Sequence, residues 1–253
     1  MKHFARIVLA CFALTAGILH SQEPVRGPDD LARTRVPGVV ILAIPGKPFS
    51  GVDHIEWTRT SADGTTVTTH LEASLARDSE GRIYRESHTF VPGDSQEQSP
   101  LNYVHISDPT TRTQITCYLR TYVCNLSDYV PVTDLDPSAT GSIDNGARYR
   151  TRELLGADQI EGMDVVKSKE VTTTRAGALG NDRDLVETRE FWYSEALQTN
   201  LKVVRTDPLS GTQLVYVSGI SLSEPNPELF KVPIGYTVQD KRPRRNGQAS
   251  GNP

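Results

Sequence analysis

Four histidines are the first residues whose spacing could carry chemistry. His54, His70, His88 and His105 recur at intervals of 16, 18 and 17 residues. On hairpins of that length each falls on a successive strand, and a reversal centred on Asp78 to Glu80 makes His70 and His88 lateral neighbours. With Glu72 or Glu86 beside them, such a pair could form part of a metal site. A register slip of one residue sends the two to opposite faces. No ligand motif accompanies them, so the expectation is histidines on solvated strand faces, with His70 and His88 as the alternative, a metal-binding pair.

Other catalytic templates are missing. The chain has no G-x-S-x-G, H-E-x-x-H or G-x-G-x-x-G pattern and no phosphate loop. The stretch Gly177 to Asp182 is Gly-rich but lacks the Lys-Ser/Thr of a phosphate cradle, and it reads as a loop between strands. No pair of acids stands out as general acid and base. No cofactor is expected, and nothing in these patterns argues for an enzyme. The chain of 253 residues carries 27 basic and 31 acidic side chains, a net charge of -4. That mild acidity gives no electrostatic reason to expect a nucleic-acid partner.

Cys117 and Cys124 are the remaining reactive pair. A chain reversal about Arg120-Thr121 sets them opposite each other. Opposed antiparallel residues bring their Cα atoms to roughly 4.5–5.5 Å, inside the range a disulfide spans. A structural disulfide is the expectation and free thiols the alternative; C-x-x-C spacing for redox work is absent.

The third cysteine, Cys11, lies in a different context. Lys2 and Arg6 precede an apolar run from Ile7 to Leu19, followed by His20-Ser21-Gln22-Glu23-Pro24. This is the pattern of a secretory signal peptide over residues 1–21, the alternative being a buried N-terminal helix. Cys11 follows Arg6 too closely to serve well as a lipidation site. Its removal with the leader leaves 25 basic and 31 acidic residues, a net charge of -6, and an even cysteine pair suited to an oxidising compartment. A periplasmic or secreted location follows. No later stretch is apolar enough to span a bilayer as a helix, so an integral helical membrane protein is not expected.

Residues 22–37 read as a mobile N-terminal arm and 239–253, with Lys241, Arg242, Arg244 and Arg245, as a basic disordered tail. Between them lies a single β-rich domain over 38–238, with 21 basic and 30 acidic residues from Gln22 to Val238. Short β-branched runs alternate with Gly, Pro and Asp turns every ten residues or so. Expected strands include Val39 to Ile44, Ile55 to Thr60, Thr65 to Ala76, Arg82 to Phe90, Tyr103 to Ser107, Arg112 to Tyr118 and Tyr122 to Leu126. Later ones are Arg150 to Leu155 and Asp164 to Thr174, around Leu155-Gly156 and Glu161-Gly162, then Leu185 to Tyr193, Asn200 to Thr206 and Thr212 to Ile220. Pro225 to Phe230 fits one helical turn. The polar stretch Ser127 to Gly146 is a long loop and the only candidate boundary for a second domain. The fold class is all-β or β-dominated, an antiparallel meander with few short helices.

Strands late in the chain are apolar on both faces. Phe191 and Tyr193 oppose Val186 and Trp192; Leu214, Tyr216 and Ile220 oppose Val215 and Val217. Such a sheet either closes a two-layer core or uses one face as a ligand cavity.

Several short blocks resemble a group of uncharacterised exported bacterial proteins: Gly46-Lys47-Pro48-Phe49-Ser50, Ala62-Asp63-Gly64, Arg77-Asp78-Ser79-Glu80-Gly81-Arg82, Ile106-Ser107-Asp108-Pro109 and Gly180-Asn181-Asp182-Arg183. The C-terminal half, with Phe191-Trp192-Tyr193-Ser194, Asp207-Pro208, Gly211 and Leu229-Phe230-Lys231-Val232-Pro233-Ile234-Gly235-Tyr236, is similar to the tail of LolA-like lipoprotein-sorting proteins. That resemblance implies a half-open β-barrel whose apolar face holds acyl chains, although lid helices and a lid-closing Arg are not found here. The implied function is a periplasmic, non-enzymatic binder of lipid or lipoprotein. Candidate ligand contacts are Trp57, Leu71, Phe191, Trp192 and Tyr216. An envelope protein-interaction module on the same scaffold is the competing reading, and an unrecognised hydrolase the third.

Overall fold

The computed structural model describes residues 39–131 and 140–243. The expected leader, the N-terminal arm and the tail from 244 onward lie outside the described residues. The first half of the chain forms β1 (Phe49–Thr60), β2 (Thr66–Arg77), β3 (Ile83–His88), the two-residue β4 (Val91–Pro92), β5 (Leu101–Asp108), β6 (Thr113–Tyr118) and β7 (Val123–Asp128). The second half adds β8 (Gly141–Ile143), β9 (Arg148–Ile160), β10 (Met163–Thr174), β11 (Leu185–Ser194), β12 (Thr199–Asp207), β13 (Gly211–Ser221) and β14 (Thr237–Asp240).

All of them join one sheet in the order β14-β7-β6-β5-β3-β2-β1-β13-β12-β11-β10-β9-β8, with β4 on a side branch beside β2. Each half is a hairpin ladder, as its turn residues dictate. The halves are joined by the pairing of β1 with β13, and only β14 runs parallel to its neighbour, β7. The sheet does not close on itself, so the architecture is the half-open, β-dominated barrel expected from the sequence. Helix is confined to the single turns Asp144–Gly146 and Pro227–Phe230, the second where the sequence places one. No helix among the described residues is long and apolar enough to cross a membrane.

Cross-strand partners share a face, and the register therefore sorts the side chains. One row runs Leu71, Ile55, Val215, Val203, Phe191 across β2, β1, β13, β12 and β11. Its members, with Phe49, Ala73, Leu75, Leu201 and Val217, build the main core. We call this the core face. On the opposite face of the first half a smaller cluster of Ala76, Tyr84, Val104 and Ile106 is covered by Phe230 from the C-terminal segment. Beside it, Cys117 and Cys124 pair in register and form a disulfide, with Cα atoms 3.9 Å apart and both residues fully buried.

Four local expectations change. The stretch Ser127 to Gly146, read as a loop, holds the end of β7, the short β8 and the single turn Asp144–Gly146. Val39 to Ile44 reads as a strand by composition but joins no ladder. It crosses the core instead, with Val39 and Ile41 1% and 6% exposed. Tertiary contacts replace the ladder: Thr199 Oγ1 donates to Val40 O at 2.6 Å, and Arg77 Nη1 donates to Leu42 O at 2.9 Å. Of the two breaks around Leu155-Gly156 and Glu161-Gly162, the second is the turn from β9 to β10, and the first is not one. It is a bulge within β9, where the register shifts against Lys167 and Ser168 and Gly156 takes φ +98°. Finally, the last ladder runs to Asp240, two residues into the expected tail.

The Arg77–Arg82 block shows why its residues recur together. Asp78 accepts from Glu80 N, Arg82 N and Arg82 Nε, which fixes the turn from β2 to β3. Gly81, at φ +82°, lies against the backbone of Ala43 to Pro45, so the turn also seats the crossing segment. Arg77 completes the clamp from within the core, bonding Lys47 O, Leu42 O and Leu197 O.

Candidate binding cavity

The β2–β3 ladder stops early. Leu75, Ala76 and Arg77 pair with Arg85, Tyr84 and Ile83, while further along β2 Thr69 and His70 pair with β4. Between these two ladders the sheet is split. Side chains replace the missing backbone partners: Glu86 accepts from Ser74 N at 2.9 Å, and Ser99 Oγ accepts from Glu72 N at 3.1 Å. On the core face at this split lies a cavity of about 430 Å³, within the size range of small-molecule sites. Its floor is Ile55, Leu71 and Ala73, the end of the apolar core row. Its wall is polar and aromatic, with Arg85 and Ser87 on β3 and Tyr103, His105, Thr116 and Tyr118 on β5 and β6.

Asp53 joins floor to wall. It lies on β1 beside Ala73 and is 1% exposed. Its Oδ2 accepts from Arg85 Nη2 at 2.9 Å and from Val39 N at 3.2 Å; its Oδ1 has no partner among the described residues. Burial raises its pKa to about 6, although Arg85 and Val39 pull the other way. His105 is held below its usual range by burial and by Arg85, and both ring nitrogens are taken, by Thr116 Oγ1 and Ser107 Oγ.

The polar groups inside the split serve the sheet. Burial would raise Glu86, but bonds from Ser74, Tyr84 and His88 outweigh it and hold the carboxyl low. His88 is engaged at both nitrogens, with Ser99 O at 2.6 Å and Glu86 Oε2 at 3.0 Å. Ser99, His88 and Glu86 thus stand in the order of a hydrolytic triad, yet Ser99 Oγ donates to Glu72 O and lies 3.5 Å from His88 Nδ1. Its hydroxyl is committed to the backbone of β2, where it replaces a strand.

The structure separates the other residues singled out from the sequence. His70 pairs with Glu56 and Val91. The β2–β3 register sets position 72, not 70, level with His88 and ends before reaching either, so His70 and His88 are not brought together. Among the described residues no group of three His, Cys, Asp or Glu is placed to hold a metal. Leu71 lies in the cavity floor, Trp57 two residues from Ile55 on the same face, and Phe191 in the same apolar row further along. Trp192 and Tyr216 are both paired with Lys202 and by register face away from Phe191, although Trp192 is buried and packs into the main core cluster at its β10 end. There the ammonium groups of Lys167 and Lys202 each sit 4.6 Å from the Trp192 ring centroid, and Tyr216 stacks on His54 at 4.6 Å. Next to Trp57 the core face turns polar: the row passes through Gln213, Arg205 and Arg189 to Glu170, with Arg205 and Arg189 both bonded to Glu187.

Asp53, Arg85, Tyr103 and Tyr118 escaped the sequence reading. One signal was present: Asp53 is the lone acid in the alternating series Phe49, Gly51, Asp53, Ile55, Trp57, a charge in a core phase.

No protein-family model matches the chain, and no curated protein matches it. Solved structures are similar over much of its length. An uncharacterized conserved protein from Thermus thermophilus has a TM-score of 0.42 at 12% identity, over 78% of this chain and 91% of that one. The Pseudomonas aeruginosa MucA/MucB complex gives 0.38 at 15%, over 75% of this chain and 56% of that one. A putative outer membrane lipoprotein-sorting protein domain from Vibrio parahaemolyticus is also a neighbour, at 0.18 and 8%, over 72% and 89%. All are likenesses of sheet shape alone.

Proposed function

We propose that this is an exported, non-enzymatic envelope protein whose core-face cavity holds an acyl chain of a lipid or lipoprotein. Residues 1–21 would be the leader and 22–37 an arm before the β-domain; the basic residues after β14 would form the tail. One observation carries the reading: an accessible cavity floored by Ile55, Leu71 and Ala73 continues the apolar row of the core. Burying each methylene of an acyl chain there is worth about 0.8 kcal/mol, enough to retain an amphiphile. Trp57 and Phe191 extend the same face, whereas Trp192 and Tyr216 would not touch the ligand. Mass spectrometry of organic extracts from protein purified out of its native envelope tests the reading. An acyl-bearing lipid in stoichiometric amount is expected; its absence overturns the proposal.

A second reading, an interaction module for another envelope protein, is supported by the outer edge of β9. Only Arg148 to Arg150 pair with β8, and Leu154 beyond them is 74% exposed. A stoichiometric co-purifying protein, without lipid, would favour it.

A further inference from the structure

The cavity's polar groups divide by what they have left to offer. Glu86, His88 and His105 already have every polar side-chain atom engaged by a neighbour. Arg85 does not: Nη2 is fixed by Asp53, and no partner among the described residues takes its Nε or Nη1. Its side chain is 26% exposed at the cavity. Tyr103 and Tyr118 are cross-strand partners with ring centroids 5.7 Å apart, and neither hydroxyl has a partner among the described residues. Ser87, level with Tyr103, adds a third hydroxyl. What the wall presents is therefore one guanidinium edge and several O–H groups above an apolar floor.

Resting on the acyl-binding reading above, we propose that the cavity selects an aliphatic chain ending in a free carboxylate, its head held by Arg85 and the hydroxyls of Tyr103 and Tyr118, its chain lying on Leu71, Ile55 and Ala73. A guanidinium matches a carboxylate through two parallel N–H bonds. Asp53 engages Nη2 alone, which leaves a second edge open. A single cation, already shared with Asp53, suits a singly charged head better than a phosphate monoester.

Calorimetric titration of the purified protein with dodecanoate and with 1-dodecanol at neutral pH tests the head-group claim. Dodecanoate is expected to bind at least about tenfold tighter, the usual weight of charge-assisted hydrogen bonds. Arg85→Gln should bring the two ligands to near parity. Because that variant also strips Asp53 of its partner, Tyr103→Phe with Tyr118→Phe provides an independent check: it should weaken dodecanoate more than dodecanol, since hydrogen bonds to a charged head are the stronger ones, and so narrow the preference. Equal affinity of wild type for both ligands overturns the carboxylate inference and leaves the acyl cavity standing. Binding of neither overturns both.

Discussion

The carboxylate of Asp53 on β1 and the guanidinium of Arg85 on β3 meet at 2.9 Å across the whole width of β2. The same carboxylate oxygen receives the backbone N–H of Val39. One buried group thus links the segment crossing the core to the wall of the cavity, and its protonation bears on both.

Asp53 is held at about 6, above its ordinary 3.8, chiefly by burial. Between those values the folded state keeps a proton that the unfolded state has lost, so stability falls as pH rises through the window. Below about pH 4 both states are protonated and the penalty vanishes; above about 6 it is complete, at about 3 kcal/mol. Asp53→Asn removes this dependence. Urea unfolding from pH 4 to 7.5 should show wild type losing stability relative to the variant across that window, and a constant difference would refute the assignment.

Arg77 is fully buried, and its three hydrogen bonds to Lys47, Leu42 and Leu197 all go to carbonyls, with the Phe49 ring 5.0 Å away. Lysine keeps the charge but not the three-way fork. Arg77→Lys should cost about 3 kcal/mol or more, since at least one charged hydrogen bond is lost and a buried carbonyl is left unpaired. Hydrogen exchange should quicken at residues 39–48, the segment the fork holds. Unchanged exchange there would show that other contacts seat it.

The disulfide staples β6 to β7, the strand on which β14 docks. Closing so short a loop is worth about 2–3 kcal/mol on the chain-entropy account. Alanine at both Cys117 and Cys124 should lower unfolding stability by about that amount, and reduction of wild type should do the same. A reduced protein as stable as the oxidised one would contradict it.

Much of the ladder was legible because its signals are local. Alternation over Leu71, Ala73 and Leu75 marks the buried face of β2, and the reversal at Arg120-Thr121 sets the cysteines in register. The site was less legible because it arises where a local rule breaks. The meander predicts that β2 and β3 pair throughout, whereas the pairing ends at Leu75 and Arg85, and Glu86 and Ser99 then substitute for a strand. Nothing in a strand pattern says where two strands part. The blocks Gly46–Ser50 and Arg77–Arg82 were visible as motifs; their meaning came only from contact, Lys47 O accepting from Arg77 and Gly46 N donating to Ser79 O. They hold the crossing segment rather than a ligand.

The division of aromatic residues between faces can be tested directly. Ser87 lines the cavity on β3, is half-buried, and has no β2 partner because the ladder has already ended. A large side chain there would enter the cavity above Leu71 and Ala73 without displacing a core residue. Ser87→Trp should therefore weaken binding of an acyl ligand about tenfold or more while changing unfolding stability by less than about 1 kcal/mol, as for substitutions outside the packed core. Tyr216→Phe, across the sheet beside His54, should leave binding unaltered. If Tyr216→Phe impairs binding and Ser87→Trp does not, the ligand lies on the opposite face, along the row of Lys167, Trp192, Lys202 and Tyr216, and the cavity is a feature of the split sheet alone.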